Sequence, residues 1–428
     1  MNGGPPRKVA VVGANRIPFA RSNTAYAKLS NHDMLTATLR GLVDKCRLQG
    51  ETLGEVVGGA VMKHSRDWNL VRECVLSSGL SAATPAYDIQ QACGTGLEAA
   101  IVVANKIALG QIDSGIACGS DTTSDVPVAV NRGLQRALMD LNAARTTGAR
   151  AKAFLRMLNP KFLVPEIPAN VEPRTGLSMG QHAERTAKRF GITRVAQDEL
   201  ALASHRNLAK AYDEGFFDDL VMPYQGLKRD NNLRPDTSLE KMAKLPPVFD
   251  RTNGTITAAN SSPLTDGASA VLLATEDWAR AHGLPVLAHM THAEVAAVDY
   301  SEESREGLLM APAYAVPRML KKAGLALQDF DFYEIHEAFA AVVLCTLAAW
   351  ESDSFCRDRL GLAAPLGRID RAKLNVKGSS IAAGHPFAAT GGRIVATLAK
   401  MLAQAGRGRG LISICAAGGQ GVTAILEK

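Results

Sequence analysis

Apolar and polar positions alternate along the start of this chain in two rhythms. Residues 8–13, containing the run Val9-Ala10-Val11-Val12, read as a strand, and so do residues 86–89. Between them, residues 33–48 carry apolar side chains at helical spacing. Elements alternating in this way predict a largely parallel sheet covered by helices. From about residue 125 to 244 the texture changes. Strand patterns nearly vanish, and charges, helical segments and loops with Pro165, Pro168, Pro173 and Pro235 replace them. This region reads as a mostly helical insertion. The first rhythm resumes at residues 267–274, a strand pattern of small and apolar residues, and a further unit runs from near residue 287 to the end. The expected division is 1–124 plus 245–286 as an N-terminal half, 125–244 as the insertion, and 287–428 as a C-terminal half.

The two halves share a plan. In each, a glycine-flanked polar residue opens a helix of small residues, and a strand and a glycine turn follow. In the first, Cys93-Gly94-Thr95-Gly96 precedes Gly115-Ile116-Ala117-Cys118-Gly119; in the second, Gly384-His385-Pro386 precedes Leu411-Ile412-Ser413-Ile414-Cys415. The pattern points to an ancient duplication.

Composition narrows the class. The chain is 46% hydrophobic and 21% charged, the balance of a globular protein able to bury a large core. The run 9–12 is too short for the apolar region of a secretory leader. The longest nearly apolar stretch, 338–350, falls short of the roughly 20 residues that span a bilayer. A cytoplasmic or at most peripheral protein is expected. Seven cysteines, scattered and without a C-x-x-C pair, indicate neither a disulfide framework nor a zinc site. Cys46, Cys74, Cys118, Cys345 and Cys356 read as buried and inert. The net charge of +6 is localised: residues 131–161 hold seven basic side chains and one acid, Asp140. A nucleic-acid binder would carry a more extensive basic surface, so no nucleic-acid partner is expected.

Four motifs carry chemistry. In Gln91-Ala92-Cys93-Gly94-Thr95-Gly96, Cys93 lies where a strand gives way to an apolar helix. The positive end of that helix would lower the thiol pKa toward neutrality. A structural cysteine in a glycine-rich turn is the competing reading. Tyr333-Glu334-Ile335-His336-Glu337-Ala338-Phe339 reads as a strand running into a helix that bears His336 and Glu337. Taken alone, it is an ordinary polar helix start. In Gly384-His385-Pro386, Pro386 suits a first helical turn, which places His385 just before the helix, free to be aimed at a thiol. The bland alternative is a satisfied structural histidine. Finally, Cys415-Ala416-Ala417-Gly418-Gly419-Gln420-Gly421 places a second cysteine at a strand end, before a loop whose N–H groups can face an anion.

Together these motifs, in order and spacing, resemble the thiolase family over essentially the whole chain. Within it the chain is most similar to the trifunctional-enzyme beta-subunit type of 3-ketoacyl-CoA thiolase. His336 stands where most members have Asn, Ala417 where most have Gly, and the basic stretch matches an extra segment of that subgroup. The resemblance implies an α/β fold of duplicated α-β-α-β-α layers with an inserted helical loop domain over bound coenzyme A. It implies Cys93 as nucleophile, His385 as its base, and Cys415 as the acid at C2. His385 and a water held by His336 would meet the enolate oxygen, and the N–H groups of Cys93 and Ala417 the tetrahedral oxyanion. Ser262, Met179 and Phe339 would contact pantetheine and acyl chain, although core packing explains Met179 and Phe339 nearly as well. Coenzyme A would be a co-substrate, with no metal and no bound prosthetic group. A homodimer or dimer of dimers is implied. In that subgroup a partner subunit supplies hydratase and dehydrogenase activities; the sequence leaves such a partner open here. Residues 131–161 could meet coenzyme A phosphates, an anionic membrane surface or an acidic partner, or be a solvated basic face. Leu134, Leu138 and Leu141 lie there at helical spacing.

Two rivals stand beside degradative cleavage of 3-ketoacyl-CoA. The same residues serve acetoacetyl-CoA synthesis, so chain-length preference separates the two. A non-catalytic acyl-CoA or lipid binder would lack a catalytic residue, and Cys93, His385 and Cys415 are all present. A decarboxylating ketosynthase of the same superfold would usually have His at position 415.

Overall fold

The computed structural model describes residues 6–301, 303–304 and 306–428. Residues 1–5, which enter the expectation about a leader, lie outside the described residues. The N-terminal half runs β1 (Ala10–Arg16), β2 (Ala20–Arg21), α1 (Asn31–Cys46), β3 (Glu55–Gly58), α2 (Leu70–Leu76), β4 (Ala86–Asp88), α3 (Thr95–Ala108) and β5 (Ser114–Asp121). Residues 125–244 hold α4 (Arg132–Ala143), α5 (Thr147–Met157), α6 (Met179–Arg189), α7 (Arg194–Asp213) and α8 (Leu239–Ala243). After it come β6 (Thr265–Ala274), α9 (Glu276–Ala281), β7 (Ala288–Ala297), α10 (Pro312–Ala323), β8 (Phe332–Ile335) and α11 (Ala340–Glu351). The chain ends with α12 (Asp353–Asp358), α13 (Ser380–Ala383), α14 (Thr390–Ala405), β9 (Arg409–Ala416) and β10 (Gln420–Glu427).

The strands join in the order β4-β3-β5-β6-β1-β7-β10-β9-β8, with β2 beside β6. The expectation of a largely parallel sheet is corrected. β3 pairs in parallel with β4 and β5, and β8 with β9, but β1, β5, β6, β7, β9 and β10 form antiparallel ladders. The reason is local at β9 and β10: only Ala417, Gly418 and Gly419 separate them, and a turn that short returns the chain antiparallel.

Period-two alternation along the strands builds the layers. Val11 of β1, Val271 and Leu273 of β6, Ile412 and Ile414 of β9 and Val422 of β10 face a shared central core with α3 and α14. Their neighbours Ala10, Val12, Ala270 and Leu272 face an outer core with α1 and α2. On the far side, Leu411 and Ile425 face α10 and α11. Helix, sheet, helix, sheet, helix is the resulting order, and both halves contribute to the middle layer. An apolar strand on both faces and a helix apolar all round are what such burial requires.

Between β5 and β6, the described residues contain helices and isolated bridges but no longer strand. Helices α4 and α5 pack on each other through Ala137 and Ala153. Of the three leucines expected on one face, Leu134 and Leu141 are half-buried and Leu138 is exposed. The nearly apolar stretch at 338–350 is largely α11, buried beside β8. Among the described residues, no helix is long and apolar enough to cross a membrane.

Candidate active site

Cys93 sits in a single 3-10 turn, Ala92–Gly94, between β4 and α3. Ala92 adopts a left-handed φ of 46°. Thr95 holds this turn: its Oγ1 accepts from the Gln91 N–H at 2.9 Å and donates to the Ala92 carbonyl at 2.8 Å. Two glycines then bring the second half against the first. A Cβ on Gly96 would lie 2.5 Å from the Ala388 carbonyl oxygen, and one on Gly391 would lie 2.1 Å from the Leu97 nitrogen. The starts of α3 and α14 therefore touch backbone to backbone, which only glycine permits here.

His385 is fixed from several sides. Its N–H donates to Thr265 Oγ1 at 2.8 Å, and its Nδ1 bonds Thr390 Oγ1 at 2.6 Å. Three residues on, the Ala388 N–H donates to Asp121 Oδ2 at 2.8 Å, and Asp121 also accepts from the Val61 and Met62 N–H groups. The helix after His385 starts at Thr390, not at Pro386 as expected. A 3-10 turn, Phe387–Ala389, intervenes because the Ala388 N–H is held by Asp121.

His336 and Glu337 precede α11 rather than lying on it, which corrects the second motif's expected helix. The His336 N–H donates to the Ser413 carbonyl, extending the β8–β9 pairing by one residue. Glu337 accepts from Ser204 Oγ, Asn375 Nδ2 and the Ile381 N–H, so it anchors this link to the insertion and to α13. His336 Nδ1 bonds Ser380 Oγ at 2.8 Å, and Ser380 Oγ accepts from Arg393 Nη2 at 2.9 Å.

These segments converge. The rings of His336 and His385 stand 4.2 Å apart, centroid to centroid, inclined by 50°. Cys93 Sγ and one ring nitrogen from each histidine lie within 4.8 Å of one another. Both histidines are buried, and Nε2 of each lacks a hydrogen-bond partner. Cys93 keeps partial exposure, while Cys415 is buried at the end of β9. Among the described residues, Cys93, His336 and His385 form the one group of three or more His, Cys, Asp or Glu side chains able to hold a metal ion.

Burial sets the protonation states. It pushes the Cys93 thiol up to about 12, against the opposing pull of the Ala417 N–H, which hydrogen-bonds to it. This reverses the expected lowering: the 3-10 turn separates Cys93 from the start of α3, and desolvation outweighs the helix end. Burial, then the charge of Arg393, takes His385 down to about 3. Burial, His385 and Arg393 hold His336 well below its usual value. Burial and the neighbouring Cys93 hold the Cys415 thiol far above its usual value. The ligand-free pocket thus contains two neutral imidazoles and two neutral thiols.

Ala417 adopts no left-handed conformation; those fall on Gly418 (φ 76°) and Gly419 (φ 72°). An alanine is therefore accommodated with its N–H intact. Phe339 shares an apolar cluster with Cys415, against which Met179 and Phe249 pack. Ser262 lies half-buried nearby, its hydroxyl donating to the Ala338 carbonyl at 3.0 Å.

Sequence reasoning gave no role to Ser380, Thr390, Arg393 or Asp121. The first three flank the Gly384-His385-Pro386 motif, but what they hold is evident only in three dimensions. Glu172 of the insertion was also missed. Its carboxylate accepts from the Gly418 N–H at 2.8 Å and from the Tyr300 hydroxyl at 3.1 Å, holding the glycine loop.

Comparison with known proteins agrees over the full length. The family models described as "Thiolase, N-terminal domain" and "Thiolase, C-terminal domain" match residues 9–277 and 284–428. The chain is similar to the 3-ketoacyl-CoA thiolase of Pectobacterium atrosepticum, 43% identical over 98% of this chain and 96% of that one. Among solved structures it is similar to the Bacillus anthracis acetyl-CoA acetyltransferase, with a TM-score of 0.81, 28% identity and 99% of each chain covered. It is likewise similar to human mitochondrial 3-ketoacyl-CoA thiolase in complex with CoA, with a TM-score of 0.80, 29% identity and coverage of 99% and 98%.

Proposed function

The chain belongs to the thiolase family, and on that premise we propose that it cleaves 3-ketoacyl-CoA with free coenzyme A, yielding acetyl-CoA and a shortened acyl-CoA. It is an acyltransferase. The observation that carries the reading is the convergence of Cys93 with two neutral imidazoles whose Nε2 atoms are unpartnered.

In this reading Cys93 attacks the 3-keto carbonyl and His385 Nε2 takes its proton. A neutral His385 suits a base, and a thiol that is neutral at rest ionises only as it reacts. The tetrahedral oxyanion is met by the N–H groups of Cys93 and Ala417. Cleavage of the C2–C3 bond leaves the acyl group on Cys93 and releases the acetyl-CoA enolate, whose oxygen is met by His385 and by a water held by His336. Cys415 protonates C2, a role supported by its protonated thiol. A second coenzyme A thiol, activated by Cys415 or His385, then takes the acyl group. Ser262, Met179 and Phe339 are proposed to line the pantetheine and acyl path. The division at 1–124 plus 245–286, 125–244 and 287–428 is proposed as the working domain plan, with the insertion covering coenzyme A.

A homodimer is proposed through the open edge at β4, beside which Trp68 is 77% exposed. For residues 131–161 an anionic membrane surface is the favoured contact, because Met139, Phe154, Leu155 and Leu158 are exposed among the basic side chains.

The test is coenzyme A-dependent loss of 3-ketoacyl-CoA enolate absorbance across chain lengths from acetoacetyl to 3-ketohexadecanoyl. Preference for longer chains supports degradation. Activity confined to acetoacetyl-CoA would replace it with the synthetic acetyltransferase reading, and no turnover at any length would sink both.

A further inference from the structure

The two unpartnered imidazole nitrogens and the cysteine between them have a second chemistry. We propose that Cys93, His336 and His385 form a site for a soft divalent cation, zinc above all, and that its occupation switches the enzyme off. The proposal goes beyond the thiolysis reading and is tested without it where binding alone is measured.

Four observations carry it. First, the donor set is one thiolate and two imidazoles, the ligand types zinc prefers over oxygen-seeking cations. Second, the donors lie within 4.8 Å of one another. Tetrahedral zinc with one sulfur and two nitrogens needs donor separations of about 3.3–3.6 Å, so small side-chain shifts close the site. Third, each Nε2 is buried and has no partner, while each Nδ1 is held by a hydroxyl: Ser380 for His336 and Thr390 for His385. A hydroxyl can accept from Nδ1–H or donate to bare Nδ1. Neither ring is thus locked with its proton on Nε2, and when the hydroxyl accepts, each Nε2 carries a free lone pair. Zinc-ligating histidines are commonly oriented through the other ring nitrogen in this way. Fourth, Cys93 is the one member of the group that is not fully buried.

The binding step is balanced. The Cys93 S–H bond breaks, an S–Zn bond forms, and the proton leaves to solvent; the two imidazoles bind as neutral ligands. Three protein donors leave the fourth tetrahedral position to water or an incoming thiol. The metal then occupies the nucleophile and its base together, so thiolysis stops.

The experiment titrates the reduced, chelator-treated full chain with Co2+ as spectroscopic probe, then with Zn2+. Expected are one equivalent of Co2+ with a thiolate-to-cobalt charge-transfer band, its displacement by one equivalent of Zn2+, and reversal by chelator. Cys93→Ser should lose the band. His336→Asn and His385→Asn should each weaken Zn2+ binding more than about 100-fold, beyond the roughly 10–100-fold typical of losing an outer partner. Should Cys93→Ser fail to fold, alkylation of Cys93 in the folded wild-type protein must abolish the band instead. A band that survives loss of Cys93, or Zn2+ affinity unchanged by removing either histidine, overturns the site. An enzyme that binds Zn2+ through these residues yet keeps full turnover overturns the switch. A chain that binds Zn2+ but never cleaves 3-ketoacyl-CoA would sink the functional reading alone.

Discussion

His336 and His385 come from different segments of the C-terminal half, yet their rings stand 4.2 Å apart. Each is tied through Nδ1 to a hydroxyl, and each presents a buried Nε2 without a partner. Burial penalises charging either one and the guanidinium of Arg393 adds to this, with His385 a further penalty on His336. The pair is thus held neutral, which suits His385 to accept a proton and His336 to donate a hydrogen bond.

His336→Ala removes the anchor of one donor, the water at the proposed enolate site, while leaving Cys93 and His385 in place. Loss of one such donor costs about 2.7–4 kcal/mol of barrier, so kcat should fall roughly 10²–10³-fold with a smaller change in KM. Steady-state thiolysis checks this, and an unchanged kcat would remove His336 from the mechanism.

Cys93, raised to about 12 by burial, should show no thiolate–imidazolium plateau in the ligand-free enzyme. Below its pKa a thiol's ionised fraction rises about tenfold per pH unit. Alkylation of Cys93 by iodoacetamide, followed by mass spectrometry, should therefore accelerate steadily from about pH 7 to pH 10. A plateau beginning below pH 8 would contradict the neutral pair.

Gly391→Ala tests the junction between the halves. Its Cβ would fall 2.1 Å from the Leu97 nitrogen, and that atom belongs to a buried helix start that cannot swing aside. The variant should lose about 1–3 kcal/mol of stability through overpacking. Turnover should fall too, because separating α3 from α14 separates Cys93 from His385. Thermal denaturation and kinetics of the same preparation report both effects.

Ser380→Ala leaves His336 Nδ1 unpaired in a buried setting and reduces Arg393 Nη2 to its longer bond with Ser379 Oγ. An orphaned buried polar group costs about 1–3 kcal/mol. The midpoint of denaturant unfolding should drop accordingly, and Ser380→Thr, which restores the hydroxyl, should recover part of the loss.

Glu334 is fully buried on β8, with both carboxylate oxygens unpartnered. Burial raises it from 4.5 to about 8, with Arg393 opposing. A carboxyl raised on folding keeps a proton that the unfolded chain releases. Its contribution therefore favours folding at low pH and is lost as pH rises from about 4.5 to about 8. Glu334→Gln, neutral throughout, should flatten the decline in unfolding free energy across that window. An identical pH profile in wild type and variant would show that Glu334 is ionised at rest.

Local rhythm alone placed many elements. The helix expected at 33–48 is α1 at Asn31–Cys46, and the strand expected at 267–274 is β6 at Thr265–Ala274. The sequence also isolated the chemistry-bearing segments around Cys93, His336, His385 and Cys415, because glycine, cysteine and histidine in those patterns have few other uses. Strand direction was not legible, since period-two alternation is the same in parallel and antiparallel ladders. Nor was the state of the thiol: a helix end is visible in sequence, whereas desolvation depends on everything packed around Cys93. The hydroxyl of Ser380, the guanidinium of Arg393 and the carboxylate of Asp121 act across contacts between segments. Only the close crossing of α3 and α14, where Gly96 and Gly391 leave no room for a side chain, brings the two halves near enough for Cys93 and His385 to share one pocket.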